Sequence, residues 1–210
     1  MSTTRTQRIG IWVIAVVLTI GTIGSFFVII LANNNSTIDQ QAMQKKQDEY
    51  TKLMAAYQAK VDAQNGELTT QYFSTFSGFA SEVAPFDAGS VTALTTRDLK
   101  VGDGAEIKSD TAYSAYYIGW NPEGKIFDQS IDGQKLKSPI AGGNLIAGWN
   151  EGVIGMKVGG VRELTIPADK AYGDKGSGDL IPPHTPIKFI VMIIPTPAVI
   201  PQPDLSSLGL

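Results

Sequence analysis

LIAGWNEGVIGMKVGGVRELTI, residues 145–166, is the stretch whose reading decides the fold. Gly148 to Gly155 (GWNEGVIG) has room for about two helical turns before its glycines close the element. Gly159 to Ile166 (GGVRELTI) then reads as a strand. Working outward, VTALTTRDLKVG from Val91 alternates into a glycine-containing turn. Thr111 to Trp120 (TAYSAYYIGW) is aromatic-rich with period two. Asn121-Pro122-Glu123-Gly124 is a turn, and Lys125-Ile126-Phe127 begins a further short strand. Ile187 to Ile194 (IKFIVMII) is a continuous apolar strand, expected near the centre of a sheet. Several strands with one short helix between them predict a small antiparallel α+β domain over residues 91–194.

The chain before this domain reads differently. After the basic flank of residues 1–8, Ile9 to Leu31 is an uncharged apolar run of about 23 residues, long enough for a membrane helix. It outlasts a signal-peptide core and lacks a good cleavage site, so it predicts an uncleaved transmembrane anchor. Arg5 and Arg8 precede it, which places the N-terminus in the cytoplasm and the C-terminal domain on the extracytoplasmic side of a single-pass protein. Residues 32–65 read as a polar spacer and a helical stalk ended by Asn65-Gly66. Its apolar stripe of Met43, Tyr50, Leu53, Met54, Tyr57 and Val61 leaves open a lightly packed stalk or weak self-association as a coiled coil. Residues 66–90 form an aromatic-rich helical and connecting segment. There Tyr72, Phe73, Phe76 and Phe79 predict a face packed on the following domain. Residues 195–210 form a proline-rich tail, expected to be flexible.

Composition narrows the chemistry. The 210 residues include no cysteine and one histidine, with 18% charged residues and a formal net charge of -3. A disulfide scaffold, a Cys-His nucleophile pair and a Cys/His zinc site are excluded. No basic block is dense enough to track a phosphate backbone, so no nucleic-acid partner is expected. No GxxxxGK[ST] pattern occurs among the glycines, and no cofactor is expected.

Asp98-Leu99-Lys100-Val101-Gly102-Asp103-Gly104, Tyr117-Ile118-Gly119, Phe127-Asp128, Leu145-Ile146-Ala147-Gly148-Trp149, Gly152 to Gly160, Leu164-Thr165-Ile166-Pro167, Ala171-Tyr172-Gly173 and Ile181-Pro182-Pro183 follow one another in order. Together they resemble the FKBP-type peptidyl-prolyl cis-trans isomerase domain, over about half of the chain. The resemblance implies a half-open, strongly twisted antiparallel sheet wrapped around one short helix, here preceded by the expected transmembrane helix and stalk. It implies an isomerase, a rotamase and folding helper, acting on X-Pro bonds of exported or membrane-associated polypeptides. Non-catalytic binding of proline peptides and a role as an assembly subunit of a membrane complex remain alternatives.

By the same resemblance the catalytic pocket comprises Tyr117, Phe127, Asp128, Ile146, Trp149, Tyr172 and Phe189, with Leu136, Leu145 and Ile181 as flanking substrate contacts. Trp149 is the expected floor, and the Ile146 N–H and the Tyr172 hydroxyl are expected to hold substrate carbonyls. Proline-containing clients are the implied partners, and macrolides of the FK506/rapamycin type the implied ligands. Three departures from the family pattern stand out. Tyr116-Tyr117-Ile118-Gly119 replaces the usual His-Tyr-Thr-Gly. An arginine that often pairs with the aspartate has no counterpart between Gln129 and Ser138, the nearest bases being Lys135 and Lys137, so Asp128 is expected to be less firmly oriented. Leu136 replaces a pocket-edge phenylalanine.

Overall fold

The structure is a computed structural model that describes residues 37–208. The chain divides into two compact units, one of Met1–Ala63 with Val199–Leu210 and one of Gln64–Ala198. A long helix, α1 (Thr37–Ser77), contributes to both. In the first unit, side chains one turn apart bond along its surface, Gln44 to Asp48 at 2.8 Å and Gln58 to Asp62 at 2.9 Å. Tyr50 and Leu208 are buried there, and the Lys46 ammonium donates to the Leu208 carbonyl at 3.1 Å. The tail carries a short 3-10 turn, Ser206–Leu208. Hydrogen bonds from the Ser206 side chain and then from its N–H, the latter at 2.9 Å, hold the Asp204 carboxyl below its usual range.

Two expectations are corrected here. Among the described residues no helix is long and apolar enough to cross a membrane. Helix α1 has the length, but lysines, carboxylates and amides recur along it, and each is costly in hydrocarbon. The apolar run Ile9 to Leu31, on which the anchor was read, lies outside the described residues. The anchor, the single-pass topology and the two membrane sides are accordingly not supported. Nor does a separate stalk end at Asn65-Gly66, because α1 continues through that pair to Ser77. A glycine inside a helix costs only about 1 kcal/mol relative to alanine. Phe76 is fully buried beyond it, and Leu68, Tyr72 and Phe73 pack beside Phe76. Burial of that size readily outweighs the propensity cost.

Strands β1 (Thr95–Lys100), β2 (Ser114–Trp120), β3 (Ile126–Gln129), β6 (Ile140–Ala141), β7 (Val161–Ile166) and β8 (Ile187–Ile194) form one sheet. The order is β1-β7-β8-β2-β3, with β6 also on β2, and every pairing is antiparallel. A small hairpin, β4 (Ile131–Asp132) with β5 (Lys135–Leu136), stands apart from it. The short helix α2 (Ala147–Gly152) lies against one face of the sheet. β8 has a strand on each side and a core on each face, which is why it is apolar without alternation. Ile187, Phe189, Val191 and Ile193 join Trp149, Val153 and Leu164 in the cluster under α2. Ile190, Met192 and Ile194 face the opposite way, into a second cluster with Phe76, Tyr116, Ile118 and Trp120. The end of α1 covers that second face, and Trp120 Nε1 donates to the Ala84 carbonyl at 3.0 Å just beyond it.

The second cluster contains one unfavourable group. Tyr116 is fully buried and its hydroxyl has no partner among the described residues. Burial, and secondarily Tyr72, push its phenol up to about 12. A buried hydroxyl without a partner costs about 1–3 kcal/mol, so Tyr116→Phe should raise stability at neutral pH by about 1 kcal/mol. The sign at high pH follows from linkage. A folded-state value above the unfolded one near 10 stabilises the fold fully below pH 10, and that contribution is lost as the pH rises toward about 12. Chemical denaturation of the variant should therefore show a stability that falls less steeply above pH 10, by about 1.4 kcal/mol per pH unit. Equal slopes for both proteins would mean that Tyr116 reaches water.

Candidate active site

The strands and α2 deliver one residue each, or a pair, to a common point. β2 supplies Tyr117, β3 supplies Phe127 and Asp128, and β8 supplies Phe189. Gly119 of β2 faces Phe189 on one side and Asp128 on the other, which brings β3 and β8 together across a residue with no side chain. Ser130 fixes the height of Tyr117: its backbone N–H donates to the Tyr117 carbonyl at 2.8 Å and its hydroxyl accepts the Tyr117 N–H at 2.9 Å. Ile146 caps α2 in an extended conformation, and its carbonyl accepts the N–H groups of Trp149 and Asn150 at 3.1 Å. Its own N–H donates to no group among the described residues. The Asn150 side chain reaches back to the Leu145 carbonyl at 3.0 Å and so holds the approach to that cap.

The aromatic rings meet edge to face, the arrangement that ring quadrupoles favour. Trp149 and Phe189 lie 5.1 Å apart at 76°, Phe127 and Phe189 5.5 Å apart at 85°, and Tyr117 and Trp149 5.7 Å apart at 82°. Trp149 and Phe189 are buried, whereas Tyr117, Phe127, Ile146 and Tyr172 remain partly open. Tyr172 arrives on the long connection from β7 to β8. That connection is pinned by Ser177 N–H to Ile181 carbonyl at 2.7 Å, Asn121 side chain to Leu180 carbonyl at 3.0 Å, and the buried Ile181 side chain. His184 is exposed on the same connection, 3.3 Å from Asp174 and outside the ring cluster.

The electrostatics favour neutral phenols. Burial first, then the bond to Asp128 and the charge of that carboxylate, raise the Tyr117 phenol far above its ordinary value. Burial and the Asp128 charge raise Tyr172 as well. Both hydroxyls stay protonated and able to donate at any physiological pH. Tyr117 donates to Asp128 Oδ2, and Asp128 Oδ1 accepts its neighbour's Gln129 N–H at 2.8 Å. Lys137 stands 3.8 Å from the same oxygen.

Seven residues expected from the sequence, Tyr117, Phe127, Asp128, Ile146, Trp149, Tyr172 and Phe189, come together here, with Leu145 and Ile181 alongside. Two expectations change. Asp128 is held by Tyr117, Gln129 and Lys137 although the arginine is missing, so it is not loosely oriented. Leu136 is not at the pocket edge. It is buried in the second cluster, on the α1 side of the sheet, paired with Ile131 across the β4-β5 hairpin. Tyr113 was missed: it is buried under the pocket, and its hydroxyl accepts the Trp149 indole N–H at 3.2 Å. The signal was present, since Tyr113, Ala115 and Tyr117 fall at period two.

A cup of edge-to-face rings with neutral donors at its rim can grip an apolar ring by its faces and a peptide by its carbonyls. Fold and cup together define a protein built to receive an apolar ring carried on a polypeptide. The family model for FKBP-type peptidyl-prolyl cis-trans isomerase matches residues 103–194. An FK506-binding protein of Neisseria meningitidis is 41% identical over 49% of this chain and 94% of that protein. A probable FK506-binding protein of Corynebacterium glutamicum is 46% identical over 48% of this chain and 85% of that protein. A solved peptidyl-prolyl cis-trans isomerase from Pseudomonas syringae is 29% identical over 60% of this chain and 93% of that one, with a TM-score of 0.43. The chain belongs to the FKBP family and has its peptidyl-prolyl cis-trans isomerase activity.

Proposed function

We propose that X-Pro isomerisation in this protein is carried by the cup of Tyr117, Phe127, Trp149 and Phe189, with Asp128, Tyr172 and the Ile146 N–H at its rim. The observation that supports this most is the single cluster in which these rings meet, open on the side of Tyr117, Phe127 and Tyr172. The barrier to rotation, about 20 kcal/mol, is the amide resonance lost as the C–N bond twists. A twisted amide is less dipolar than a planar one and loses less on leaving water. An apolar cup therefore binds the twisted state better than the planar ground state, which is the condition for catalysis. Trp149 supplies the floor for the pyrrolidine ring. The free Ile146 N–H and the neutral Tyr172 hydroxyl fix carbonyls on either side of the bond, so that rotation is confined to it. Asp128 holds the Tyr117 hydroxyl, and with it the angle of that wall. The retained clamp on Asp128 weighs against a pocket that binds without turnover. The relatives' names make FK506 an expected competitor for the same cup.

Prolyl exchange spectroscopy on a short X-Pro peptide tests the reading with the full chain. Wild type should accelerate exchange, and Tyr172→Phe should lower kcat/KM about three- to tenfold, the worth of one neutral hydrogen bond. Peptide shifts without faster exchange would reduce the cup to a binding site. An unchanged rate in Tyr172→Phe would remove that hydroxyl from the mechanism.

A further inference from the structure

Beneath the pocket lies a contact that the isomerase reading does not use. Indole nitrogen is a donor only, and a buried one needs an acceptor. Trp149 is 2% exposed, and among the described residues its partner is the Tyr113 hydroxyl, 3.2 Å away on a residue that is itself 7% exposed. Burial raises the Tyr113 phenol and the indole bond opposes that rise, so a neutral hydroxyl accepts the indole N–H through an oxygen lone pair. The angle of the indole plane matters, because Trp149 meets Phe189 at 76° and Tyr117 at 82°. A tilt of that plane would spoil both edge-to-face contacts and change the surface offered to a proline ring.

Tyr113 is in turn held from below. The Gly142 N–H donates to the Tyr113 carbonyl at 3.0 Å. A Cβ on Gly142 would lie 2.2 Å from Tyr113 Cζ and 2.4 Å from Cε1, so the phenol ring rests directly on bare backbone. Real Cβ atoms do not come this close, and only glycine lets the ring occupy that position. Gly142 follows β6, and Tyr113 immediately precedes β2, the strand that pairs with β6.

We propose that Tyr113 is a positioning residue of the isomerase. Its hydroxyl sets the plane of the pocket floor through the Trp149 indole N–H, and Gly142 seats the Tyr113 ring that carries it. The proposal rests on Trp149 serving as the floor. Tyr113 acts through Trp149 and not on the substrate.

The test is a double-mutant cycle in the full chain. Tyr113→Phe keeps the ring and removes the acceptor, and it should lower kcat/KM for an X-Pro peptide about three- to tenfold. It should also move the Trp149 indole proton upfield, a signal identified by its disappearance in Trp149→Phe. Added to Trp149→Phe, which has no N–H to place, Tyr113→Phe should cost nothing further. Gly142→Ala, which displaces the ring and its hydroxyl without removing the acceptor, should move the same indole signal. An unmoved indole signal, or an equal loss of rate in both backgrounds, overturns the proposal. If wild type itself fails to accelerate exchange, the isomerase reading falls and the floor role with it, while the indole shift still reports whether the bond exists.

Discussion

Gly119→Ala should abolish most of the isomerase activity, by about ten- to a hundredfold, while leaving a folded protein. Gly119 is buried near the end of β2, opposite Phe189 of β8 and Asp128 of β3. A Cβ built there would lie 2.5 Å from Phe189 Cε1, 2.6 Å from Phe127 Cε2 and 2.7 Å from Phe127 Cζ. Carbon atoms in contact settle at about 3.5–4.0 Å, so both rings must move by about 1 Å. They cannot move apart freely, because they already meet each other edge to face at 5.5 Å. Phe189 is packed in turn on Trp149 at 5.1 Å, so its displacement is passed to the floor. Misplacement of a binding element by 1 Å costs on the order of a hundredfold in rate. Overpacking of this kind costs about 1–3 kcal/mol in stability, which a domain of this size survives. Prolyl exchange and thermal unfolding, measured side by side, separate the two effects. Wild-type exchange in the variant would mean that Phe127 and Phe189 do not form the pocket wall.

The readings that came through from the sequence are those fixed by period and by chain order. β8 announces its central place because an uninterrupted apolar strand needs cover on both faces, and the two clusters supply it. The pocket aromatics were expected from the resemblance to the FKBP pattern, which Tyr117, Phe127, Trp149 and Tyr172 carry in short motifs and Phe189 does not. What failed depends on tertiary context. The Asn65-Gly66 pair looks like a helix end locally, yet the burial of Phe76 beyond it carries α1 on to Ser77. Leu136 was expected at the pocket edge in place of a phenylalanine, and in a strand a step of one residue exchanges the two faces. It lies in the α1-side cluster, on the face away from the cup. Lys137 could be named as a nearby base. That it, rather than Lys135, faces Asp128 depends on the hairpin between them. Tyr113 is legible too, at period two with Ala115 and Tyr117.

The end of α1 is where stability and catalysis should separate most cleanly. Phe76→Ala should destabilise the Gln64–Ala198 unit by about 3–5 kcal/mol, the usual cost of emptying a phenylalanine site in a close-packed core. Phe76 is fully buried, lies 6.1 Å from the Tyr116 ring, and shares its cluster with Ile118, Trp120, Ile190, Met192 and Ile194. Little can collapse into the space, since most of these neighbours are strand residues fixed by their ladders to β7 and β8. For a unit of this size the loss corresponds to a fall in Tm of about 10 °C or more. The pocket uses the other face of the same strands, so kcat/KM measured well below the new Tm should stay within about twofold of wild type, additivity holding for sites that share no partners. A fall in Tm of only a degree or two would make residues 64–77 an appendage rather than core. A large loss of activity at a temperature where the variant is folded would mean that the two faces of the sheet are coupled, and that the end of α1 helps to set the geometry of the cup.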